Sequence, residues 1–584
     1  MFKSLPVTAV SLILAANTLV KAQVFDDVAN VHPAYTLSQL RPAAWHPQVA
    51  GMDLLPDGKL LILEMREPGE NTSNKPKKDG WLYLVDNPGA ANPEDIKYRT
   101  LIDSLAEPVG VLYKDGKVYI TEKNELNEFS LDTAAGKAVK IRTIAKLPHD
   151  SLGSVNFQEY SFGTLYKDGY FYMVGGGSVH QGGKSFDTLQ SMLNESRVGA
   201  VLKIKESDGT IEALNCGLRA SNGIAWGPEG SIWVTDNQGS YRPASEFTEI
   251  ITGANYGYPN HPGAFSSKPV TPPSVWFVHG EIGRSPTYPH LMAGGPYAGQ
   301  FLVGDISQGG IKRVFVEKVN GAWQGAAFSF TGGLEVGIEN LREGPNGVLY
   351  VGGMGKGDVN NWGWNAKYDG LQKLTPKSGT TVMEIMAIRS RKNGMEIEFS
   401  KPVGTESEVA AAYNVQSGAM NPKSDYGAGS MENKITLAIK AVQLSTDRKK
   451  VFLQMDVTAH QVLIIKTAGV KSQTGEAVRC PAGWYTLNSI SASSAFDPTV
   501  AVSKPATVFA GDIKILATGE GMRVALPFTG DHELSLKTLQ GRTVALRSGN
   551  GPQVYAFNRN GFRPGIYLLE VKAGGVLLRK SLIL

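Results

Sequence analysis

The chain has 584 residues, of which 42% are hydrophobic and 19% are charged, and its formal net charge is +4. This length exceeds what one hydrophobic core usually serves, so we expect two to four domains of ordinary globular composition. The small net charge, with Lys and Arg interspersed among Asp and Glu, argues against nucleic acid as a partner.

The N-terminal residues, 1–22, have the pattern of a secretory signal peptide. Lys3 precedes an apolar run from Leu5 to Leu19, and Ala22 ends a possible cleavage site. The run is too short and too often interrupted for a membrane-spanning helix, so cleavage is favoured over an uncleaved anchor. The sequence therefore predicts a secreted or outer-surface location.

The two cysteines, Cys216 and Cys480, lie far apart in the sequence. They are more typical of buried small residues than of a disulfide bridge. The motif Cys-x-x-Cys-His does not occur, so the sequence predicts no covalently bound haem. If the protein is an oxidoreductase, its electron acceptor is external.

A repeated hairpin pattern runs through residues 23–375. Each copy has an apolar strand, a turn with Gly and a second apolar strand, and the turn glycines are Gly58, Gly116, Gly169, Gly230 and Gly347. The last gap is about two units long, which predicts a sixth copy near 300–305 that lacks the turn signature. Six such units predict an all-β fold with a six-bladed β-propeller. A β-sandwich is the alternative, but it does not require one hairpin pattern at this period.

Two further β-domains are predicted behind the propeller. Short alternating strands over 376–487 are typical of an immunoglobulin-like β-sandwich, and 488–505 has the composition of a linker. Residues 506–584 resemble the C-terminal sorting domains of type IX secretion substrates, in which a Gly-x-Tyr strand precedes a short basic terminal strand. That resemblance implies the export machinery as a partner. An ordinary small β-sandwich is the alternative.

One end of the propeller collects polar residues. The residues before the first strand and after the second strand of each hairpin emerge opposite the glycine turns, and we call this end the mouth. Oxygen ligands from several blades can surround a hard cation such as Ca²⁺ or bind a polyhydroxylated ligand. The candidate metal ligands there are Glu64, Asn222, Asp236 and Asp305. Each acid alone is more typical of a solvated strand end, and it is their repetition at the same position of several hairpins that favours a site.

Three long connections add candidates near the mouth. The glycine-rich segment 176–183 contains His180, which we take as a possible catalytic residue. Residues His279, Glu281 and Arg284 form a possible substrate-binding cluster, or a local salt-bridged turn. Trp362 is a possible aromatic platform for a bound ring, with a core position as the alternative.

Residues 217–226, 230–237 and 253–260 resemble the corresponding segments of the glucose/sorbosone dehydrogenase family, and the resemblance spans roughly 45–375. It implies a propeller that binds pyrroloquinoline quinone and Ca²⁺ at its mouth and oxidises sugars or sugar alcohols. By this likeness, Arg219 and Asn222 would contact the cofactor, and the turn from Gly257 to Pro259 would lie near calcium.

The sequence departs from the family at several positions. Gln158 and Glu159 stand where the family has its catalytic histidine, Gln308 stands near the quinone-binding lysine, and 337–341 lacks the paired arginines. Arg219 matches the family residue, and we take it as a candidate catalytic residue together with Gln158, Glu159 and His180. Three hypotheses remain open: a sugar oxidoreductase, a metal-dependent lactonase that uses Glu64, Asn222 and Asp236 or Asp305, and a non-catalytic carbohydrate-binding surface protein.

Overall fold

The computed structural model describes most of the chain. The described residues are 30–66, 77–147, 160–176, 199–239, 241–258, 265, 267–355, 364–365, 367–423, 431–496, 514–518, 521–526, 531–538, 542–558, 562, 566–573 and 576–583. They belong to two compact units, Met1–Phe496 and Asp497–Leu584. The predicted signal peptide lies outside the described residues. Among the described helices, none has the length and apolarity needed to cross a membrane.

The described part of the chain begins with a short N-terminal strand and three blades. Each of these blades is an antiparallel sheet of four strands that are consecutive in the chain. The N-terminal strand is β1 (Tyr35–Gln39). Blade one contains β2 (Val49–Leu54), β3 (Leu60–Met65), β4 (Gly80–Val85) and β5 (Tyr98–Leu105). Blade two contains β6 (Gly110–Lys114), β7 (Lys117–Glu122), β8 (Glu125–Asp132) and β9 (Lys137–Lys146). Blade three contains β10 (Ser161–Lys167), β11 (Tyr170–Gly175), β12 (Ala200–Lys205) and β13 (Ile211–Ala213).

The other three blades follow the same order. Blade four contains β14 (Ser221–Trp226), β15 (Ile232–Asp236), β16 (Ser245–Ile250) and β17 (Val275–Phe277). Blade five contains β18 (Pro286–Leu291), β19 (Phe301–Asp305), β20 (Ile311–Val319) and β21 (Ala322–Thr331). Blade six contains β22 (Asn340–Glu343), β23 (Leu349–Met354) and β24 (Asp369–Pro376).

The blades close into a ring. The first strand of each blade packs against the first strand of the next, and β22 of blade six packs against β2 of blade one. The N-terminal strand β1 completes blade six by pairing with β24, where Tyr35 lies opposite Pro376. The predicted six-bladed propeller is therefore confirmed. The predicted disguised unit is β19, whose connection from β18 is longer than the other hairpin turns.

Burial explains why the second strand of each blade is so apolar. Every residue of β3, β15, β19 and β23 is buried. These strands have a hydrogen-bonded neighbour on each side and other blades against both faces, so they read as continuous apolar runs instead of alternating ones. Acids at their ends, such as Glu64 and Asp305, are therefore buried as well.

A β-sandwich follows the propeller within the same unit. One sheet contains β25 (Ile385–Arg391), β26 (Gly394–Phe399), β30 (Lys450–Gln454) and β29 (Ala441–Leu444). The other contains β32 (Ala482–Leu487), β31 (Gln461–Lys466), β27 (Asn414–Ala419) and β28 (Glu432–Thr436). Its immunoglobulin-like connectivity stays a prediction.

The sandwich continues blade five. Strand β32 pairs with β21, with Trp484 opposite Ala327, so the two sheets form one eight-stranded sheet. Phe328 of the propeller lies in the same core as Ile397 and Tyr485 of the sandwich. In the predicted linker, the backbone N–H groups of Ser489 and Phe496 donate to Gln324 and Glu396 of this unit.

The second unit forms its own small β-domain. One sheet contains β33 (Lys514–Thr518), β34 (Gly521–Leu526) and β37 (Gln553–Asn558). The other contains β36 (Thr543–Asn550), β35 (Asp531–Thr538), β38 (Ile566–Ala573) and β39 (Val576–Ile583). The described 3₁₀ turns, all in the first unit, are Pro93–Asp95, Pro228–Gly230, Gly295–Tyr297, Pro345–Gly347, Thr405–Glu408 and Ala410–Ala412. The sorting role of this domain stays a prediction.

Candidate functional site at the propeller mouth

The strand register brings the predicted acidic positions to one end of the propeller. Glu64 lies opposite Val49. Asp236 pairs with Ser221 and Asp305 with Pro286. In each pair, the end of the second strand meets the start of the first. The predicted mouth is therefore one end of the blades, where the second strand of each hairpin ends beside the start of the first.

Asp305 binds the backbone of the loops on either side of it. Its Oδ2 accepts the N–H of Arg284 at 2.7 Å. Its Oδ1 accepts the N–H groups of Ser285 at 3.2 Å, Ser307 at 3.1 Å and Gln308 at 2.7 Å. Four backbone donors occupy the carboxylate, which is fully buried. Asp305 thus fixes the entry into blade five, and few of its lone pairs remain for a metal.

Asp236, at the end of β15 in blade four, also accepts hydrogen bonds from backbone N–H groups. Its oxygens accept the N–H groups of Arg219 at 2.8 Å and Ala220 at 2.7 Å. Arg242 Nε lies 3.4 Å from Asp236 Oδ2, and Arg242 Nη1 lies 3.2 Å from Glu246 Oε1. Burial raises the pKa of Glu246 to about 8, against the opposing effect of Arg242. Asp236 is therefore held in a buried network of the blade.

The Arg219 side chain holds the loop that follows β15. Its Nη1 donates to the carbonyl oxygens of Asn237 at 3.3 Å and Gln238 at 2.6 Å. A Cβ on Gly239 would lie 2.1 Å from Arg219 Cζ, so only glycine allows this approach. Arg219 is 2% exposed. Its guanidinium supports the mouth from within the protein.

Glu64 is buried beside a cation and a phenol. Arg66 Nε donates to Glu64 Oε1 at 2.9 Å, while Glu64 Oε2 has no hydrogen-bond partner. Burial, and then the charge of Glu64, raise the pKa of Tyr83. Among the described residues, no three His, Cys, Asp or Glu side chains are grouped closely enough to hold a metal ion. Glu64, Asp236 and Asp305 therefore do not form one metal centre.

The predicted substrate cluster faces two ways. Glu281 accepts hydrogen bonds from Lys434 Nζ at 2.5 Å and Trp484 Nε1 at 2.9 Å, both in the sandwich. The backbone N–H of Arg284 instead donates to Asp305 Oδ2 at the mouth. His279 lies between them, and burial, followed by the charge of Arg284, lowers its pKa. The loop thus connects the sandwich to the mouth.

Gln308 and Gly257 belong to ordered turns. Gln308 is 9% exposed, and its Oε1 has no hydrogen-bond partner. The N–H of Gly257 donates to Asn255 Oδ1 at 2.9 Å. Gln158, Glu159, His180, Pro259 and Trp362 lie outside the described residues, and their proposed roles stay predictions.

A carboxyl that sequence reasoning did not single out lies at the start of blade six. Glu339 is fully buried, and its Oε2 accepts one hydrogen bond, from Asn222 Nδ2 at 3.4 Å. Its Oε1 has no partner, and neither does Asn222 Oδ1. Burial raises the pKa of Glu339 to about 8, and the bond from Asn222 only partly opposes this. Glu339 therefore carries a proton at neutral pH.

Tyr288 of blade five crosses the ring toward blades two and three. Its hydroxyl donates to the carbonyl oxygen of Val109 at 2.5 Å and accepts the N–H of Gly163 at 2.5 Å. Gly163 has φ of +92°, and a Cβ there would lie 2.0 Å from Ile224 Cγ2. The Tyr288 hydroxyl therefore joins blade five to blades two and three.

Apolar side chains surround the polar groups of the mouth. One buried cluster draws on strand ends and flanking residues from five blades: Ala50, Met65, Val109, Tyr160, Ile306 and Met354. The buried layer at this end of the propeller is therefore largely apolar. Asn222 and Glu339 are the hydrogen-bonded polar pair that links blades four and six.

No known protein-family model matches this sequence, and no curated protein does. Similar solved structures include the PQQ-bound aldose sugar dehydrogenase of Streptomyces coelicolor, with 15% identity over 59% of this chain and 100% of that chain and a TM-score of 0.42. The PQQ domain of Coprinopsis cinerea pyranose dehydrogenase has 14% identity, covering 60% and 97%, with a TM-score of 0.41. Virginiamycin B lyase of Staphylococcus aureus has 15% identity, covering 59% and 100%, with a TM-score of 0.28. These likenesses concern the fold alone.

Proposed function

We propose that this chain is an exported sugar- or polyol-binding protein whose ligand occupies the propeller mouth, and that it works without a tricarboxylate quinone. The observation that carries the proposal is the enclosed pair of Glu339 and Asn222, each with an oxygen that has no hydrogen-bond partner. Ligand hydroxyl groups both donate and accept hydrogen bonds and so can pair with either oxygen, and the apolar cluster beside the pair suits the C–H faces of a sugar.

The described residues do not fit pyrroloquinoline quinone. An anionic tricarboxylate needs cationic partners at its site. Arg219, which the family resemblance assigns to the cofactor, donates to backbone carbonyl oxygens. Gln308 stands near the position of the family lysine, and Glu339 adds a carboxyl group with no cationic partner among the described ion pairs. We therefore derive no step through the quinone.

Calcium and lactonase chemistry have little support from the described residues. The ligands that either would use are Glu64, Asn222, Asp236 and Asp305, and backbone N–H groups already occupy both aspartates. The lactonase hypothesis is not pursued for this reason.

The chain's own groups provide binding and orientation. Protonated Glu339 offers one donor and one free acceptor, and Asn222 offers the acceptor Oδ1, so the pair can bind adjacent hydroxyl groups of a polyol. Asp236 and Asp305 keep the neighbouring loops in place through their backbone hydrogen bonds. The enclosed position of Glu339 excludes bulk water from this contact.

Export completes the proposal. It is supported by the N-terminal pattern of residues 1–22 and by the likeness of 506–584 to type IX sorting domains. We expect the secreted protein to begin near residue 23, which N-terminal sequencing of the culture supernatant would test.

The full chain, purified after signal removal, tests the binding proposal. A panel of sugars and sugar alcohols should raise its unfolding temperature in a concentration-dependent way, because a ligand that binds only the folded state stabilises it. Saturating pyrroloquinoline quinone with Ca²⁺ should give no spectrum of bound quinone. Quinone binding with sugar-dependent reduction of a dye would overturn the proposal in favour of a dehydrogenase. Absence of any sugar effect would overturn the binding role.

A further inference from the structure

An open cleft lies at one end of the sandwich. Its volume is about 600 Å³, which is within the range of small-ligand sites in proteins. Three loops line it: residues 404–406 after β26, Arg448 in the turn between β29 and β30, and residues of 469–475 after β31. None of the described lining residues is aromatic or aliphatic. The cleft therefore suits a polar ligand.

Hydrogen bonds hold the three loops together. The N–H of Gly404 donates to the carbonyl oxygen of Lys471 at 2.9 Å, and the N–H of Gln473 donates to that of Pro402 at 3.0 Å. Arg448 Nη2 donates to the carbonyl oxygen of Gly404 at 3.0 Å. The walls of the cleft are thus in place before a ligand binds, so binding orders few further groups.

Two charged side chains of the cleft are left for a ligand. The Glu406 carboxylate lies over Gly404, where a Cβ would come within 2.5 Å of Glu406 Oε2. Among the residues that the structure describes, neither Glu406 nor Lys471 forms an ion pair, although both line the cleft. Arg448, in contrast, pairs with Glu408 at 2.8 Å. The cleft therefore keeps one carboxylate and one ammonium on separate loops.

From these groups we infer that the cleft binds an acidic polysaccharide built from uronic acids. Lys471 binds a sugar carboxylate through charge-assisted hydrogen bonds, and Glu406 accepts hydrogen bonds from sugar hydroxyl groups. The amide of Gln473 can donate to one hydroxyl and accept from another. This inference goes beyond the proposed function, since the cleft contains none of the residues named at the mouth.

An acidic peptide fits this cleft less well. Extended peptides bind through backbone hydrogen bonds to an exposed strand edge, with pockets that take their side chains. The backbone N–H groups of Gly404 and Gln473 already bond between the loops, and the described lining offers no apolar pocket. Sugar hydroxyl groups instead need side-chain donors and acceptors, which Glu406, Lys471 and Gln473 provide.

A more strongly anionic polymer, such as a sulfated one with several charges per unit, also fits less well. Glu406 repels additional negative charge, and Glu408 already offsets the charge of Arg448. One carboxylate on each sugar balances the single ammonium of Lys471 and leaves the hydroxyl groups for Glu406.

Isothermal titration of the full chain with trigalacturonate and with its methyl ester tests the inference. The two ligands share their rings and hydroxyl groups, but only the first carries carboxylates. We expect the acid to bind about three- to fivefold more tightly, the scale of one exposed ion pair, and the preference to shrink at high salt. Lys471→Gln should bind the acid no better than the ester, whereas Glu406→Ala should weaken the binding of both. Both side chains are exposed, so both variants should fold.

Lys440→Gln is the matched control. Lys440 precedes β29, at the opposite end of that strand from the turn with Arg448, and pairs with Asp456 at 2.6 Å. This variant removes the same charge as Lys471→Gln and should keep the preference for the acid.

The outcomes separate the cleft from the mouth. A preference for the acid that survives Lys471→Gln, or equal binding of acid and ester by the wild type, would overturn the role of Lys471. Binding of neither ligand would overturn the cleft as a sugar site and leave the mouth proposal to its own test. Tri-L-glutamate, which has the same net charge as trigalacturonate, should bind more weakly, and equal binding would overturn the sugar in favour of an acidic peptide.

Discussion

The Tyr288 hydroxyl joins three blades, so its removal should weaken the whole propeller. Its partners are the carbonyl oxygen of Val109 in the connection into blade two and the N–H of Gly163 in blade three, both at 2.5 Å. Tyr288 is 3% exposed, so solvent does not replace the hydroxyl in Tyr288→Phe. Each buried group left without a partner costs about 1–3 kcal/mol, which gives a loss of about 2–6 kcal/mol.

Urea unfolding of the full chain, followed by tryptophan fluorescence, measures this loss. The control is Tyr350→Phe, because Tyr350 is equally buried in blade six and no described residue accepts a hydrogen bond from its hydroxyl. Its variant should change the free energy of unfolding by less than about 0.5 kcal/mol. A Tyr288→Phe variant as stable as the control would refute the role of this hydroxyl in joining the blades.

Other variants test the mouth. Asp305→Asn should lower the free energy of unfolding by roughly 2–4 kcal/mol in urea unfolding, because the charged acceptor of four backbone N–H groups is lost, while Asp208→Asn on the surface should cause no comparable loss. The pKa of Glu339 is raised to about 8 from an ordinary value of 4.5, so the folded state holds a proton that the unfolded state loses between these values. The wild type should therefore lose stability relative to Glu339→Gln as the pH rises from about 4.5 to about 8, and the difference should then level off. A difference that is constant over this range would contradict the burial of an unpaired carboxyl. Arg219→Gln should lower the unfolding temperature of the full chain without changing its absorbance in the presence of the quinone, and a quinone spectrum lost only in this variant would contradict our account of Arg219.

Local sequence signals predicted the blades well. The glycine turns at Gly58 and Gly347 separate the first two strands of their blades, because hairpin chemistry is local. The copy without a glycine turn was located from the double-length gap between Gly230 and Gly347 and from the apolar run of β19. The same register also placed Glu64 and Asp305 at one end of the propeller.

Contacts across the ring were beyond the reach of sequence patterns. That Asp305 binds four backbone N–H groups depends on the course of loops from two sides of the strand. No sequence pattern indicated Glu339, because its hydrogen-bond partner, Asn222, is 117 positions away in the chain. Tyr288 meets blades two and three only once the ring has closed.

The sandwich was predicted as a separate domain, and its pairing with β21 has no sequence signature. Strand β32 joins the outer edge of blade five through backbone hydrogen bonds, which nearly any side chain permits. The aromatic and aliphatic residues of its core were readable as strands, but their sharing of a core with Phe328 was not.

Because the propeller and the sandwich both contribute strands to one sheet, the propeller cannot be separated from the sandwich without exposing a strand edge. If the chain were ended at residue 375, the outer edge of β21 would lose its partner strand, and Ala326 and Phe328 would be left facing water. Unprotected strand edges recruit other chains, so such a fragment should precipitate or form multimers even with all its blades intact. Soluble recombinant material should instead extend at least to Phe496.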